Sequence, residues 1–377
     1  MGASASLSPL IKDVDCPPGS EYIDSYAYAP GEDNSIIMRD VACVFETRNS
    51  IPLRRHVSQS GDMRSWRYAF GMPDSSLVVR HILSIHSHDY IIDYELHQNG
   101  AIEVKVTSAG YVSMVNNLNA KEVKHGYTID PEWGGGGSIY QCLFNLRLDV
   151  DVAGVNNRFK TMSMRPEAVS TKHAGGRAWY QMAMDETLIG TENAAMMHTA
   201  MDTDYFIQYN FFESAHQTYE SGLPRGYRVL LNGASRATLP DASPLLRGAA
   251  SWMKYPLAVT KYKDDERLST AGFTQGDPFN PLIGFDQIIN DNDTLIDADL
   301  VVWATVGLQH IPTYEDLPAV TTTGNTVSVS LIPFNFFKRD PSIHSRDVAI
   351  LTQGSQPDYP SANFSCPSIK FMPDINV

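Results

Sequence analysis

Runs of Val, Ile, Tyr and Phe with period-two alternation recur between clusters of Gly, Pro, Asn and Asp, and this pattern constrains the chain more than any other feature. Alternation is what a half-buried strand requires, because successive side chains leave opposite faces of a sheet. Helical spacing of apolar residues is scarce. The clearest strand run extends from Leu77 to about Leu96. Gln98-Asn99-Gly100 then supplies a tight turn needing positive φ, and Ala101 to Val106 alternates back, which predicts a hairpin. A second run covers Ile139 to Val152, after Gly134-Gly135-Gly136-Gly137, a stretch that regular structure holds only at entropic cost. A third covers Ala298 to His310. Residues 155 to 250 read as more polar and irregular, with Gly175-Gly176 and Met196-Met197 among segments that the pattern leaves unassigned. The chain from Ser342 onward, rich in Pro and Ser, reads as an extended tail on the surface. Many strands and few helices predict a mainly β protein, built as a large β-sandwich.

Length and the absence of repeats predict one domain over residues 1–377. A hydrophobic share of 43% with 19% charged residues is that of a folded globular chain. The net charge of −14, from 29 basic and 43 acidic residues, argues against nucleic acid or an anionic membrane as partner. A small-molecule ligand or another protein remains. No stretch approaches the roughly 18 consecutive apolar residues of a membrane span, and no basic segment followed by an apolar one opens the chain, so the expectation is a cytoplasmic protein. Met1-Gly2-Ala3-Ser4-Ala5-Ser6 fits the short N-myristoylation pattern, although one acyl chain anchors weakly. Cys16, Cys43, Cys142 and Cys366 lack the paired spacing of a zinc site and are too few for a disulfide scaffold.

His88-Asp89-Tyr90-Ile91-Ile92-Asp93-Tyr94, continued by Gln98-Asn99-Gly100-Ala101-Ile102-Glu103-Val104, resembles the copper amine oxidase signature in which Asn-Tyr-Asp-Tyr leads into a strand and turn. Further segments resemble that family's catalytic domain in the same order. They are Leu143 through Val152, Pro224-Arg225-Gly226-Tyr227, Val259-Thr260-Lys261-Tyr262 with Asp265-Glu266, Trp303 through His310-Ile311-Pro312, and Pro333 through Phe337. The resemblance covers about residues 16 to 345. It implies the family's catalytic-domain super-sandwich without the family's N-terminal domains, and a homodimer.

Family chemistry uses a quinone made from a tyrosine of the chain, copper held by three histidines, and an aspartate base. The tyrosine lies between Asn and Asp, and the matching residues here are Ser87, His88 and Asp89, so the resemblance places a histidine where topaquinone would form. Two copper ligands come from a His-Gln-His strand, matched here by Tyr140, Gln141 and Cys142; the third corresponds to His310. At family spacing the base falls before Met1. The expectation is therefore a chain without topaquinone, in which copper is not held, because a single imidazole gives copper little hold.

Residues two apart on a strand share a face, which pairs His86 with His88 and Tyr140 with Cys142, and in the fold this chain resembles, these converge with His310. Three readings stand. His88, Cys142 and His310 form a rebuilt zinc or copper site. In the second, favoured over the first, a metal-free pocket uses His88 or His310 as acid or base and Tyr140 as donor, for a cyclisation or isomerisation of pericyclase type in a biosynthetic pathway. In the third the side chains only bond one another in a relic pocket of a binding or scaffolding protein. Replacement of ligands by polar, titratable residues rather than Leu or Phe favours a pocket in use.

Asp149, Val150 and Asp151, with Asp299 and Leu300, match a peripheral family site in which carboxylates and two backbone carbonyls hold calcium or a similar hard cation. Cys16 and Cys43 resemble the family's intradomain disulfide pair, and the resemblance leaves two states open, that disulfide or, in a reducing cytosol, two thiols. Cys366 has no assigned role.

Overall fold

The alternating runs become strands whose two faces meet different partners. In the computed structural model of the chain, the described residues are 7–27, 35–57, 69–116, 124–130, 135–169, 179–196, 207–272, 276–345 and 349–351. The N-terminal third holds β1 (Glu21–Ala27), β2 (Ile36–Val57), β3 (Ala69–Ile85), β4 (His88–His97), β5 (Ile102–Gly110), β6 (Met114–Asn116) and β7 (Gly126–Asp130). The middle holds β8 (Gly135–Ser138), β9 (Tyr140–Val150), β10 (Asn157–Val169), β11 (Trp179–Ile189), β12 (Ile207–Thr218) and β13 (Pro224–Asn232). After the short helix α1 (Pro244–Arg247) come β14 (Leu257–Lys261), a second helix α2 (Phe285–Ile288), β15 (Ile296–Ala298), β16 (Leu300–His310), β17 (Thr326–Phe334) and β18 (Ala349–Leu351). The myristoylation motif, Gly134, Gly175-Gly176, Met197, Cys366 and the tail beyond residue 351 lie outside the described residues.

One sheet runs in the order β1-β2-β3-β4-β5-β17-β13-β12-β10-β11, with β15 on β10 and β18 on β3. A second runs β14-β16-β9, and a third, β6-β8-β7. The expected mainly β sandwich is what forms. Its principal core lies between the first two sheets, where Val106, Phe159, Phe212, Val229, Val327 and Val329 of the large sheet meet Val302, Ala304 and Val306 of β16. Val301 and Trp303 leave the opposite face of β16 and pack with Trp252, Phe285 and Ile288 beneath the helical segment. A strand covered on both faces has no polar side, which explains why β16 is apolar from Leu300 to Leu308 save for Thr305, whose buried hydroxyl accepts from Asn145 Nδ2. Trp303 is fully buried against the Phe285 ring and donates its indole N–H to Thr260 Oγ1 at 2.9 Å. Burial of a large apolar side chain stabilises by about 1.5–3 kcal/mol.

The structure corrects several expectations. The run Leu77–Leu96 is two strands, because His86 and Ser87 form a two-residue reverse turn between Ile85 and His88, with His86 at φ 57°. The turn lacks the Asn-Gly or Asp-Gly pair that marks such hairpins, hence the continuous reading. The hairpin predicted at Gln98-Asn99-Gly100 is present, joining β4 to β5 with Gly100 at φ 82°. Gly135–Ser138 forms the central strand of the third sheet instead of breaking structure. There a Cβ on Gly137 would come within 2.5 Å of Pro312, so the close approach itself demands glycine. Between 155 and 250 stand four long strands. β10 and β11 pair from Phe159↔Ile189 to Val169↔Trp179 as an edge ribbon, and β11 leaves Tyr180, Met182 and Met184 exposed. β10 still sends Phe159 and Met162 into the interior, whereas β11 buries neither face and has no reason to alternate. Finally, Cys16 and Cys43 are joined in a disulfide that closes 27 residues and anchors the N-terminal segment beside Leu10 and Ile82.

Candidate functional site

Three strand ends meet where the sheets close on one another. β4 begins at His88, immediately after the turn; β9 begins at Tyr140, and β16 ends at His310. Tyr140 and His310 are direct antiparallel partners, as are Cys142 and Leu308 two residues along, so Tyr140, Cys142 and His310 share a face. Gln141 leaves the other face, donating to the Arg236 carbonyl at 2.9 Å and accepting from the Thr238 N–H at 3.1 Å. Gly110 holds the turn in place: at φ 105°, it brings its backbone so close that a Cβ would sit 2.5 Å from the Ser87 carbonyl oxygen, and the next residue, Tyr111, donates its N–H to that oxygen at 2.6 Å.

Across the gap, the His88 and Tyr140 rings meet edge to face at 4.7 Å between centroids, and Tyr140 stacks on His310 at 5.0 Å. His310 Nε2 donates to Asp316 Oδ2 at 2.9 Å, and the same oxygen accepts the Thr313 N–H at 2.7 Å. Beneath them Tyr90 lies parallel to His88, 6.1 Å away, places its hydroxyl 3.2 Å from Cys142 Sγ and meets Phe144 edge-on at the margin of the main core. His88 Nδ1 lies 3.3 Å from Ser87 Oγ, whereas His88 Nε2 is buried without a hydrogen-bond partner.

Burial dominates the electrostatics. It lowers the His88 pKa, helped by His310 and His86 and opposed by Asp89. Burial pushes the Tyr140 phenol up to about 12, with Cys142 and Asp316 adding to it. It raises Cys142 as well, against the hydrogen bond from Tyr90, and raises Tyr90 itself. Near neutral pH His88 is therefore an uncharged imidazole, Tyr140 and Tyr90 keep their phenolic protons and Cys142 is a thiol rather than a thiolate. These are tools for hydrogen bonding and for acid–base work on a neutral molecule.

Of the residues expected here, His88, Tyr140, Cys142 and His310 come together and His86 does not. Its place in the reverse turn leaves it exposed, since period-two geometry holds only within a strand. Tyr90 and Asp316 were not expected. Tyr90 carries a readable signal, two residues after His88 on one strand, and Asp316 closes Thr313-x-x-Asp316, a capping-box pattern that forms. Among the described residues, three groups of at least three His, Cys, Asp or Glu donors lie within 4.8 Å of one another, and none contains His88, Cys142 or His310. One is Asp149, Asp151 and Asp299 at the far ends of β9 and β16, beside the paired Val150 and Leu300, whose buried side chains leave only their backbone for an ion. Asp299 Oδ1 is buried there without a partner, and burial raises its pKa, with Asp149 and Asp151 adding to it.

The family profile described as copper amine oxidase, enzyme domain, matches residues 1–351. The chain belongs to the copper amine oxidase family. It is 31% identical over 350 residues to the copper-containing diamine oxidase of Mus musculus, covering 93% of this chain and 45% of that relative. It is 36% identical over 358 residues to the copper-containing amine oxidase 3 of the same species, covering 94% of this chain and 44% of the relative. Among solved structures, the Aspergillus nidulans amine oxidase superimposes with a TM-score of 0.83 at 26% identity, over 99% of this chain and 48% of that one. The chain thus spans about half the length of the copper amine oxidases it matches.

Proposed function

We propose that this chain keeps the copper amine oxidase fold without its oxidase chemistry, and that the pocket serves a reaction without redox change on a small, uncharged molecule, such as a cyclisation or isomerisation in a biosynthetic pathway. The observation that carries this reading is His88. It stands at the position that the family resemblance gives to the quinone tyrosine, and its Nε2 is buried and without a partner. An imidazole has no phenol ring to be oxidised to a quinone. Tyr140 and Cys142 stand at the positions of two copper histidines, and the remaining imidazole, His310, already spends Nε2 on Asp316. One imidazole, one phenol and one thiol do not fit the family's copper ion.

In this reading His88 Nε2 meets the reacting part of the ligand as donor or acceptor, the Tyr140 hydroxyl donates a hydrogen bond, and Asp316 holds the His310 ring in orientation. Purified protein is expected to carry less than stoichiometric copper and to give no redox-cycling quinone stain; a positive stain with amine turnover overturns the reading. Incubation with candidate pathway intermediates, comparing His88→Ala and His310→Ala with wild type, tests the pocket, which fails if both variants convert and bind like wild type. The rival reading is a binding or scaffolding protein, favoured by the way Tyr90 engages Cys142 and His310 engages Asp316. Binding that is lost in the variants without any turnover selects it.

The same proposal includes a homodimer, supported by the exposed Tyr180, Met182 and Met184 of β11, with light scattering as its test. It also includes a hard cation such as calcium at Asp149, Asp151 and Asp299, tested by a chelator-sensitive melting temperature.

A further inference from the structure

We propose that the outer face of the large sheet carries a site for a divalent transition metal such as zinc, with His97 Nε2, Glu95 Oε2 and Glu103 Oε2 as ligands and Asp74 bracing the histidine. This site is separate from the pocket of His88 and independent of its reading. Glu95 and Glu103 are direct cross-strand partners on β4 and β5, and His97 lies two residues from Glu95 on the same face. Like charges set directly opposite destabilise a strand pair unless a cation sits between them.

The geometry has the marks of a site lacking its ion. His97 Nε2 lies 3.7 Å from Glu95 Oε2 and 3.8 Å from Glu103 Oε2, too far for hydrogen bonds. Such spacings suit donors gathered around an ion at about 2.0–2.2 Å from each. The Glu95 side chain is only 8% exposed, and its Oε2 is buried without any hydrogen-bond partner. On the other side of the ring, Asp74 Oδ1 is 3.7 Å from His97 Nδ1 and is likewise buried and unpartnered, while its Oδ2 accepts from Asn49. A carboxylate behind the distal nitrogen of a ligating histidine fixes the ring's tautomer and strengthens the ligand. Both orphaned oxygens thus face the one imidazole.

Charge supports the assignment. Lys105 Nζ is 2.8 Å from Glu95 Oε1 and 3.6 Å from Glu103 Oε2, so one ammonium stands against the three carboxylates of Asp74, Glu95 and Glu103. Glu103, with Asp74 and Glu95, raises the His97 pKa, so a metal ion competes with a proton for the imidazole; once that proton is displaced, one divalent cation and the ammonium balance the three carboxylates. The neighbouring Arg80 and Asp93 are joined by two 2.6 Å hydrogen bonds and neutralise each other. The imidazole selects zinc, cobalt or nickel over calcium or magnesium, which prefer oxygen alone. Three ligands on two paired strands leave a fourth position open to water.

The test uses the full chain stripped with a chelator and titrated with zinc against a chromophoric competitor. One equivalent is expected in wild type and is expected to be lost in His97→Gln and Glu103→Gln. Asp74→Asn, which removes only the bracing charge, is expected to weaken binding by about 10–100-fold. Cys142→Ala and His310→Ala should keep the equivalent. Cobalt should give a visible absorption band in wild type that His97→Gln lacks, and zinc should raise the melting temperature of unmodified wild type, a readout that no variant's folding can confuse. Absence of zinc binding in wild type, or the same number of equivalents in His97→Gln, overturns the proposal.

Discussion

Replacing Asp316 by alanine isolates the element that orients His310. The Asp316 side chain is 11% exposed and its Oδ2 accepts two bonds, from Thr313 N at 2.7 Å and from His310 Nε2 at 2.9 Å. Hydrogen bonds to a charged group contribute about 1.5–3 kcal/mol each. With both lost and the Thr313 N–H left without its cap, the expected destabilisation is about 3–5 kcal/mol. An unfolding entropy of about 2.1 cal/mol/K per residue over 377 residues gives about 0.8 kcal/mol/K, so the melting temperature should fall by about 4–6 °C. Asp316→Asn keeps an acceptor for Thr313 and loses mainly the charged contact, and it should fall by about half as much. Thermal denaturation followed by circular dichroism at neutral pH ranks the three proteins. If alanine melts within 1 °C of wild type, or asparagine is as damaging as alanine, the carboxylate does not hold the loop and ring together as argued.

Gly137→Ala puts a Cβ 2.5 Å from Pro312 and 3.1 Å from Ile129 Cδ1. It should cost about 1–3 kcal/mol in a melting experiment; an unchanged melting temperature would show that the Pro312 loop yields freely. Burial lowers the folded-state pKa of both His81 and His88 below 6.5, so their contribution is fully present above that pH and is lost as pH falls through the folded value, where the unfolded chain binds more protons. The stability difference between wild type and His88→Phe should therefore shift against wild type on acidification, and the opposite slope would refute burial as the cause. Thiol titration of the denatured, unreduced chain should find two reactive groups, Cys142 and Cys366, of the four cysteines. Reduction of the Cys16–Cys43 loop should lower stability by about 3.5 kcal/mol; four reactive thiols would instead match the reducing cytoplasm of the sequence-based expectation.

The sandwich was legible where one face of a strand is wet and the other dry, as around the Gln98-Asn99-Gly100 turn. It was illegible where that contrast fails. The strand β11 exposes both faces, and the turn at His86-Ser87 lacks the Asn-Gly or Asp-Gly pair that marks a two-residue hairpin. Within the site, Tyr140, Cys142 and His310 could be grouped because two strand positions and a resemblance both point there. Asp316 reaches His310 through a loop, and no periodicity describes a loop. The meeting of Glu95 and Glu103 is set by pairing register, which becomes known only once β4 and β5 are aligned.

His88 belongs to the large sheet, and Tyr140 and His310 to the smaller one, so no strand pairing joins the walls of the pocket, which meet through side chains such as Tyr90 and Cys142. Their separation is governed by the thickness of the apolar filling between the layers. Rings such as Phe159 and Phe212, stacked at 5.0 Å in that filling, therefore act as spacers. Trimming one of them would alter the fit of a ligand it never touches, which makes the interior of the sandwich as natural a place to retune selectivity as the pocket lining.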